Sequence, residues 1–285
     1  MGFERIPTSR VWFIAAAALL IFFAIFTAIF STGVLLYPNL YIEQWLLHRP
    51  LTSLDCVFAE WKFLGKVGAS VLFTLVLGVA CLLLGYRRRV LLFLCVLLLL
   101  GVAVEYIGKQ VYPQVIPVNV QFGLDSLACP QMSHQPRSIK VMTALGMWWA
   151  APPARSKRIN NEHFSATAPL IFDENASVVN GYPSGHALRW CFIALVACWL
   201  IWRHMKYHFL RILLMAIALA IAFGGGFAQF YIGVHLSTDL IAGYLLGASL
   251  ACCAIGILLV DETKRKKLVP EDQRAEKTTL DVSGP

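Results

Sequence analysis

Charge is scarce in this sequence: only 14% of its 285 residues are Asp, Glu, Lys or Arg, against 58% hydrophobic residues. With a mean hydropathy of +0.67, that scarcity excludes an ordinary soluble domain and makes the bilayer the solvent. Acidic residues are rarer still, 16 against 24 basic ones, for a net charge of +8. The basic residues are not spread as a nucleic-acid-binding face would need. They cluster beside apolar runs as Arg87-Arg88-Arg89, Arg203 to Arg211 and Lys264 to Lys267, the pattern of a cytoplasmic membrane face. No internal repeat or low-complexity tract is visible, which sets aside solenoids and fibrous chains. The first apolar run lacks a small-residue cleavage site after it, so it reads as a retained span rather than a secretory signal.

Apolar runs near residues 12–36, 67–86, 90–108, 187–202, 212–231 and 236–260 are each of a length to cross a hydrocarbon core about 30 Å thick. The expected fold is all-α and polytopic, with six transmembrane helices and a long outward loop between the third and fourth. With Arg5, Arg10 and the three basic clusters inside, both termini are cytoplasmic and segments 37–66, 109–186 and 232–235 face outward. Residues 1–262 then form one membrane domain with its outward loop at 110–182, and residues 263–285 a polar cytoplasmic tail. Six of the eight cysteines lie in spans as small apolar residues. Cys56 and Cys129 lie in outward segments, where an oxidising compartment allows a disulfide that contributes about 4 kcal/mol in the chain-entropy model.

Two polar constellations interrupt this pattern. Gly181-Tyr182-Pro183-Ser184-Gly185-His186 stands immediately before the fourth span. A turn there aims backbone N–H groups outward from a helix start, an anion-binding geometry. Gly185 permits close approach, Ser184 offers a hydroxyl, and His186 an acid or base that titrates near neutrality. The second, Tyr231 to Asp239, opens the sixth span with His235 and Asp239 four residues apart, on one face if helical. A carboxylate on one ring nitrogen fixes the tautomer and leaves the other nitrogen free to attack. Alone, His235 reads as a surface histidine and Asp239 as a helix-start acid; with His186 they read as a site. Glu105 and Lys109, spaced i,i+4 at the outward end of the third span, are placed to pair.

Pro183-Ser184-Gly185-His186, followed by His235 and Asp239, resembles the membrane type-2 phosphatidic acid phosphatases, with Lys109 and Pro117 matching that family's lysine and proline around the end of the third span. The likeness covers the last four spans. It implies His235 as nucleophile, Asp239 as orienting carboxylate, His186 as leaving-group acid, and Lys109, Ser184 and the Gly185 amide as phosphate binders. No metal or cofactor is implied. The family pattern has arginines where this chain has Ile116 and Gln229. Gln229 keeps a neutral donor, and Arg189, three residues after His186, ranks first as replacement, ahead of Arg137, Arg155, Lys157 and Arg158.

The function expected is a phosphatase that hydrolyses a lipid phosphate or polyprenyl diphosphate through a phosphohistidine, at the outer face of a bacterial inner membrane. The alternatives are a phosphotransferase that passes phosphate to a lipid acceptor such as lipid A, a catalytically dead lipid-phosphate binder, and a transporter. The partner expected is a membrane lipid phosphate; the sequence does not fix the oligomeric state.

Overall fold

The computed structural model describes residues 8–47, 57–58, 61, 65–116, 177–231 and 234–268. Most of the loop expected at 110–182, the Cys56 and Cys129 pair, Pro117, the basic residues Arg137, Arg155, Lys157 and Arg158, and the tail from 269 onward lie outside the described residues.

Long apolar runs without internal proline form helices because every backbone polar group is then satisfied within its own segment. The helices are α1 (Ser9–Ser31), α2 (Leu36–Leu47), α3 (Val67–Leu83), α4 (Arg88–Val111), α5 (Gly185–His204), α6 (His208–Tyr231) and α7 (Ser237–Leu268). Five of them, α1, α4, α5, α6 and α7, are long and apolar enough to cross a membrane. The expected second span, α3, has 17 residues and is shorter than the rest.

The sequence reading differs from the structure at the first run, at the base of the long loop, and in the expected tail, where α7 continues to Leu268. The expected first run over 12–36 ends earlier, at Ser31, and the outward stretch that follows begins as the unforeseen α2. Pro38 in that helix is tolerated because it sits in the first turn, where its missing N–H has no helical acceptor to lose. The all-α expectation also misses a two-stranded antiparallel ribbon at the base of the long loop. β1 (Gln114–Ile116) pairs with β2 (Ser177–Val179), with Gln114 opposite Val179.

α5 is the axis of the bundle. Buried residues make up 72% of its most apolar window, against 6% for α1. Its Leu188, Phe192 and Val196 meet Leu94 and Leu98 of α4 and Leu246, Leu250 and Leu258 of α7 in one core. α5 and α7 approach closely at Gly243 and Gly247, where a Cβ would run into the Ser184 and Leu188 carbonyls. Small residues at a four-residue interval let two helix backbones come together inside a membrane.

One end of the bundle is held by ionic and polar ties. Gly85, at φ +84°, ends α3 in a left-handed turn in which the Tyr86 N–H bonds the Cys81 carbonyl at 3.0 Å. Arg87 pairs with Asp261 at 3.6 Å, Arg203 with Glu262, and Arg265 donates to the Gly85 carbonyl at 2.8 Å. The Tyr86 hydroxyl lies 2.9 Å from His204 Nε2, and burial pushes its pKa well above the usual phenol value. The three basic clusters belong to this end. The end of α4 and the starts of α5 and α7 lie at the other, and there the polar constellations meet.

Candidate active site

Ser184 caps α5. Its backbone is extended, and its hydroxyl accepts from the Ala187 N–H at 3.4 Å. The residues before it are fixed by α1: the Tyr182 ring stacks on Phe30 at 4.2 Å, and its hydroxyl lies 2.7 Å from the Thr27 hydroxyl. Tyr182 is fully buried, and that burial raises its pKa to about 12. The Ser184 N–H then donates to the Asp239 carbonyl at 2.9 Å, which joins the start of α5 to the start of α7.

The shared helical face expected for His235 and Asp239 does not form, because α7 starts only at Ser237. They meet through a helix-start arrangement. Asp239, in the first turn, reaches back so that its Oδ2 accepts the Leu236 N–H at 3.0 Å, the side-chain-to-cap contact of a capping box. That turns Oδ2 toward His235 Nδ1, 3.5 Å away. This is within electrostatic reach but longer than an N–H···O hydrogen bond, and Nδ1 has no hydrogen-bond partner among the described residues. Both side chains are buried, at 6% and 1% exposure.

The His186 ring, on the first turn of α5, stands 6.2 Å from the His235 ring, centroid to centroid. It lies against Gly65, where a Cβ would overlap it. Gly185 is equally constrained, since a Cβ there would enter the Glu105 carboxylate. Glu105 is thus set beside the start of α5. Its Oε1 accepts from Lys109 Nζ at 2.6 Å, and its Oε2 takes the Arg189 guanidinium. Arg189 also donates through Nε and a terminal nitrogen to the Gly65 carbonyl, at 3.3 and 2.9 Å. Arg189 therefore sits near the site, but three of its donors face Glu105 and Gly65.

Gln229 is fully buried on α6. Its backbone carbonyl accepts the N–H groups of Val234 and His235, at 2.9 and 3.3 Å. Its side-chain amide has no hydrogen-bond partner for either atom among the described residues. A buried unpaired amide costs about 1–3 kcal/mol. Linked through Glu105 and Gly65, the residues Lys109, Ser184, Gly185, His186, Arg189, Gln229, His235 and Asp239 lie together where α4, α5, α6 and α7 meet.

Two participants gave no signal in the sequence. Gln114 of β1 donates from Nε2 to Asp239 Oδ1 at 2.6 Å. Asn39 of α2, 2% exposed, accepts from Ser237 Oγ at 2.6 Å and the Thr238 N–H at 3.2 Å, and donates to Thr238 Oγ1 at 2.7 Å. Uncharged side chains outside any periodic pattern look like ordinary loop or surface residues. Only the fold shows that they converge on the start of α7.

The family model described as "PAP2 superfamily" matches residues 90–260, which contain all eight candidate residues but not Asn39. The chain is also similar to the crystal structure of the first transmembrane PAP2 type phosphatidylglycerolphosphate phosphatase from Bacillus subtilis. The two share 18% identity with a TM-score of 0.50, over 85% of this chain and 94% of that one. At that identity the likeness is one of fold. No curated protein matches the chain.

Proposed function

The chain belongs to the PAP2 superfamily, and on that premise we propose that it is an integral membrane phosphatase that hydrolyses a lipid phosphate or polyprenyl diphosphate by way of a phosphohistidine. The observation that carries this reading is the His235–Asp239 pair, with Nδ1 and Oδ2 3.5 Å apart and the His186 ring facing it at 6.2 Å.

In the proposed reaction His235 is neutral, with its proton on Nδ1 toward Asp239, so that Nε2 attacks phosphorus. The bond between phosphorus and the leaving oxygen breaks as the N–P bond forms, and His186 gives that oxygen a proton. Water, deprotonated by the same His186, then cleaves the N–P bond and releases phosphate. The start of α5 at Gly185, the Ser184 hydroxyl, Lys109 and the unpaired Gln229 amide supply the donors that charge on the equatorial oxygens calls for. Lys109 would share its charge between Glu105 and the substrate. Nothing in these steps requires a metal.

The six helices α1, α3, α4, α5, α6 and α7 would span the membrane, α3 covering about 26 Å at 1.5 Å per residue. With the basic clusters on the cytoplasmic side, the site opens at headgroup depth on the periplasmic or exterior side, and both termini are inside. A substrate whose phosphate rides at that depth fits better than a soluble ester.

The test is phosphate release by purified protein from phosphatidic acid, phosphatidylglycerol phosphate, undecaprenyl diphosphate and lipid A, with His235→Ala in parallel and chelator present. Release that vanishes in His235→Ala supports the reading. Phosphate appearing on an added lipid acceptor instead assigns a phosphotransferase, and no turnover with any of them overturns the enzymatic reading.

A further inference from the structure

Asp239 is held from three sides, and only one of them belongs to its own helix. Its Oδ2 accepts the Leu236 N–H at 3.0 Å. The Gly181 backbone closes over the same oxygen, since a Cβ there would stand 2.5 Å from it. Its Oδ1, the oxygen turned from His235, accepts from Gln114 Nε2 at 2.6 Å. The β1–β2 ribbon accounts for two of these contacts. Gln114 lies opposite Val179 in the pairing, and Gly181 follows two residues later, so one short ribbon brings both to the same carboxylate.

We infer that Gln114 is a positioning residue for the catalytic pair: its amide fixes the rotation of the Asp239 carboxylate so that Oδ2 stays turned to His235 Nδ1. The inference rests on the function proposed above and adds to it a residue from outside the histidine and aspartate motifs. Gln114 is 6% exposed, which shields this bond from competition by bulk solvent. The identity of the donor atom is forced, because the amide oxygen would repel a carboxylate. The amide oxygen in turn has no hydrogen-bond partner among the described residues.

The neutrality of the amide matters as much as its reach. A lysine or arginine at this position would neutralise Asp239 and weaken its hold on the imidazole N–H. An amide donates one hydrogen bond and leaves the full negative charge to act on His235. Leu236 alone would not serve, because it bonds the oxygen that must also face His235. With Oδ1 released, the carboxylate is free to turn, and the share of molecules in the attacking tautomer falls.

Gln114→Leu removes the donor at similar volume, and Gln114→Glu keeps the shape but sets a second carboxyl against Oδ1. Each is to be measured beside wild type and His235→Ala for kcat and KM on the best lipid phosphate of the panel. The 15N ring shifts of His235 are to be recorded without substrate, its signals identified by their loss in His235→Ala. The expected result is a 10- to 100-fold fall in kcat for Gln114→Leu, KM within about threefold, a larger fall for Gln114→Glu, and His235 shifts moving from the Nδ1–H tautomer toward a mixture. Unchanged kcat with unchanged ring shifts overturns the inference; so does a rise in KM alone, which makes Gln114 a substrate contact. If wild type turns nothing over, the reaction reading fails, yet the ring shifts still decide whether Gln114 controls His235. Should Gln114→Leu not fold, Gln114→Glu carries the same two readouts.

Discussion

Glu105 of α4 and Arg189 of α5 form an ion pair inside the helix bundle, 6% and 3% exposed, and the second oxygen of Glu105 holds Lys109 at 2.6 Å. One carboxylate therefore serves two cations beside the start of α5. A buried pair is costly to break from one side only, because the survivor keeps its charge without a partner.

Glu105→Gln should destabilise the protein by about 3–5 kcal/mol, because it leaves Arg189 buried without a counter-charge, and Arg189→Met by less, because Glu105 keeps Lys109. The double variant Glu105→Gln/Arg189→Met should lose less than the sum of the two. Denaturant unfolding of the detergent-solubilised protein, read as a double-mutant cycle, checks this. Additive losses would mean that the two side chains do not interact.

Gly185→Ala is expected to cut turnover at least 100-fold with a modest change in melting temperature, because the added methyl group enters the space of the Glu105 carboxylate and pushes it away from Lys109. Steady-state kinetics beside a thermal melt separates this from general unfolding. Wild-type kinetics in the variant would show that the carboxylate moves aside freely.

His186 and His235 should part company when the leaving group changes. With a poor alkyl leaving group, His186→Ala is expected to lose about 10²–10⁴-fold in rate, the usual worth of a general acid. With a nitrophenyl phosphate, which departs without a proton, the first step should recover most of that loss, while His235→Ala stays inactive with both. A burst of nitrophenol from His186→Ala, followed by slow turnover, would place the remaining defect in hydrolysis of the phosphohistidine.

Asn39→Ala removes three hydrogen bonds at the start of α7 and leaves the Thr238 N–H unpaired and buried. A loss of about 1–3 kcal/mol is expected, read as a lower denaturation midpoint with unchanged slope. Asn39→Asp should recover part of it by restoring the acceptor.

Tyr182 gives an alkaline signature. Its folded pKa, raised by burial to about 12, exceeds the ordinary phenol value of about 10, so the folded state holds its proton more tightly than the unfolded chain does. The stability it contributes is complete below pH 10 and is lost as pH rises from 10 toward 12. Tyr182→Phe should flatten the fall over that window relative to wild type in a pH series of melts. Parallel curves would mean that the hydroxyl is not held.

Much of this was legible before the fold was known. Long apolar runs with few charges mark α1 and α4 to α7 because a bilayer demands them, and the motifs around His186, His235 and Asp239 mark where the candidate site lies. Family membership rests on the match over residues 90–260. The rest depends on tertiary contacts that leave no pattern in the chain. Arg189 is visible as a charge in a span, but its sequence position cannot reveal that its donors turn to Glu105 and Gly65. Gln114 and Asn39 are neutral, lie in different elements, and act on Thr238 and Asp239 across long stretches of sequence. α2 follows α1 so closely that its apolar residues merge with the preceding run.

The β1–β2 ribbon brings residue 116 and residue 177 side by side, so the chain leaves the bundle and re-enters it through a single doorway. Whatever lies between begins and ends at the same place, and doubling its length would add only about 0.6 kcal/mol of closure entropy. The ribbon, rather than the length of the segment between its strands, therefore sets where the chain rejoins the start of α5.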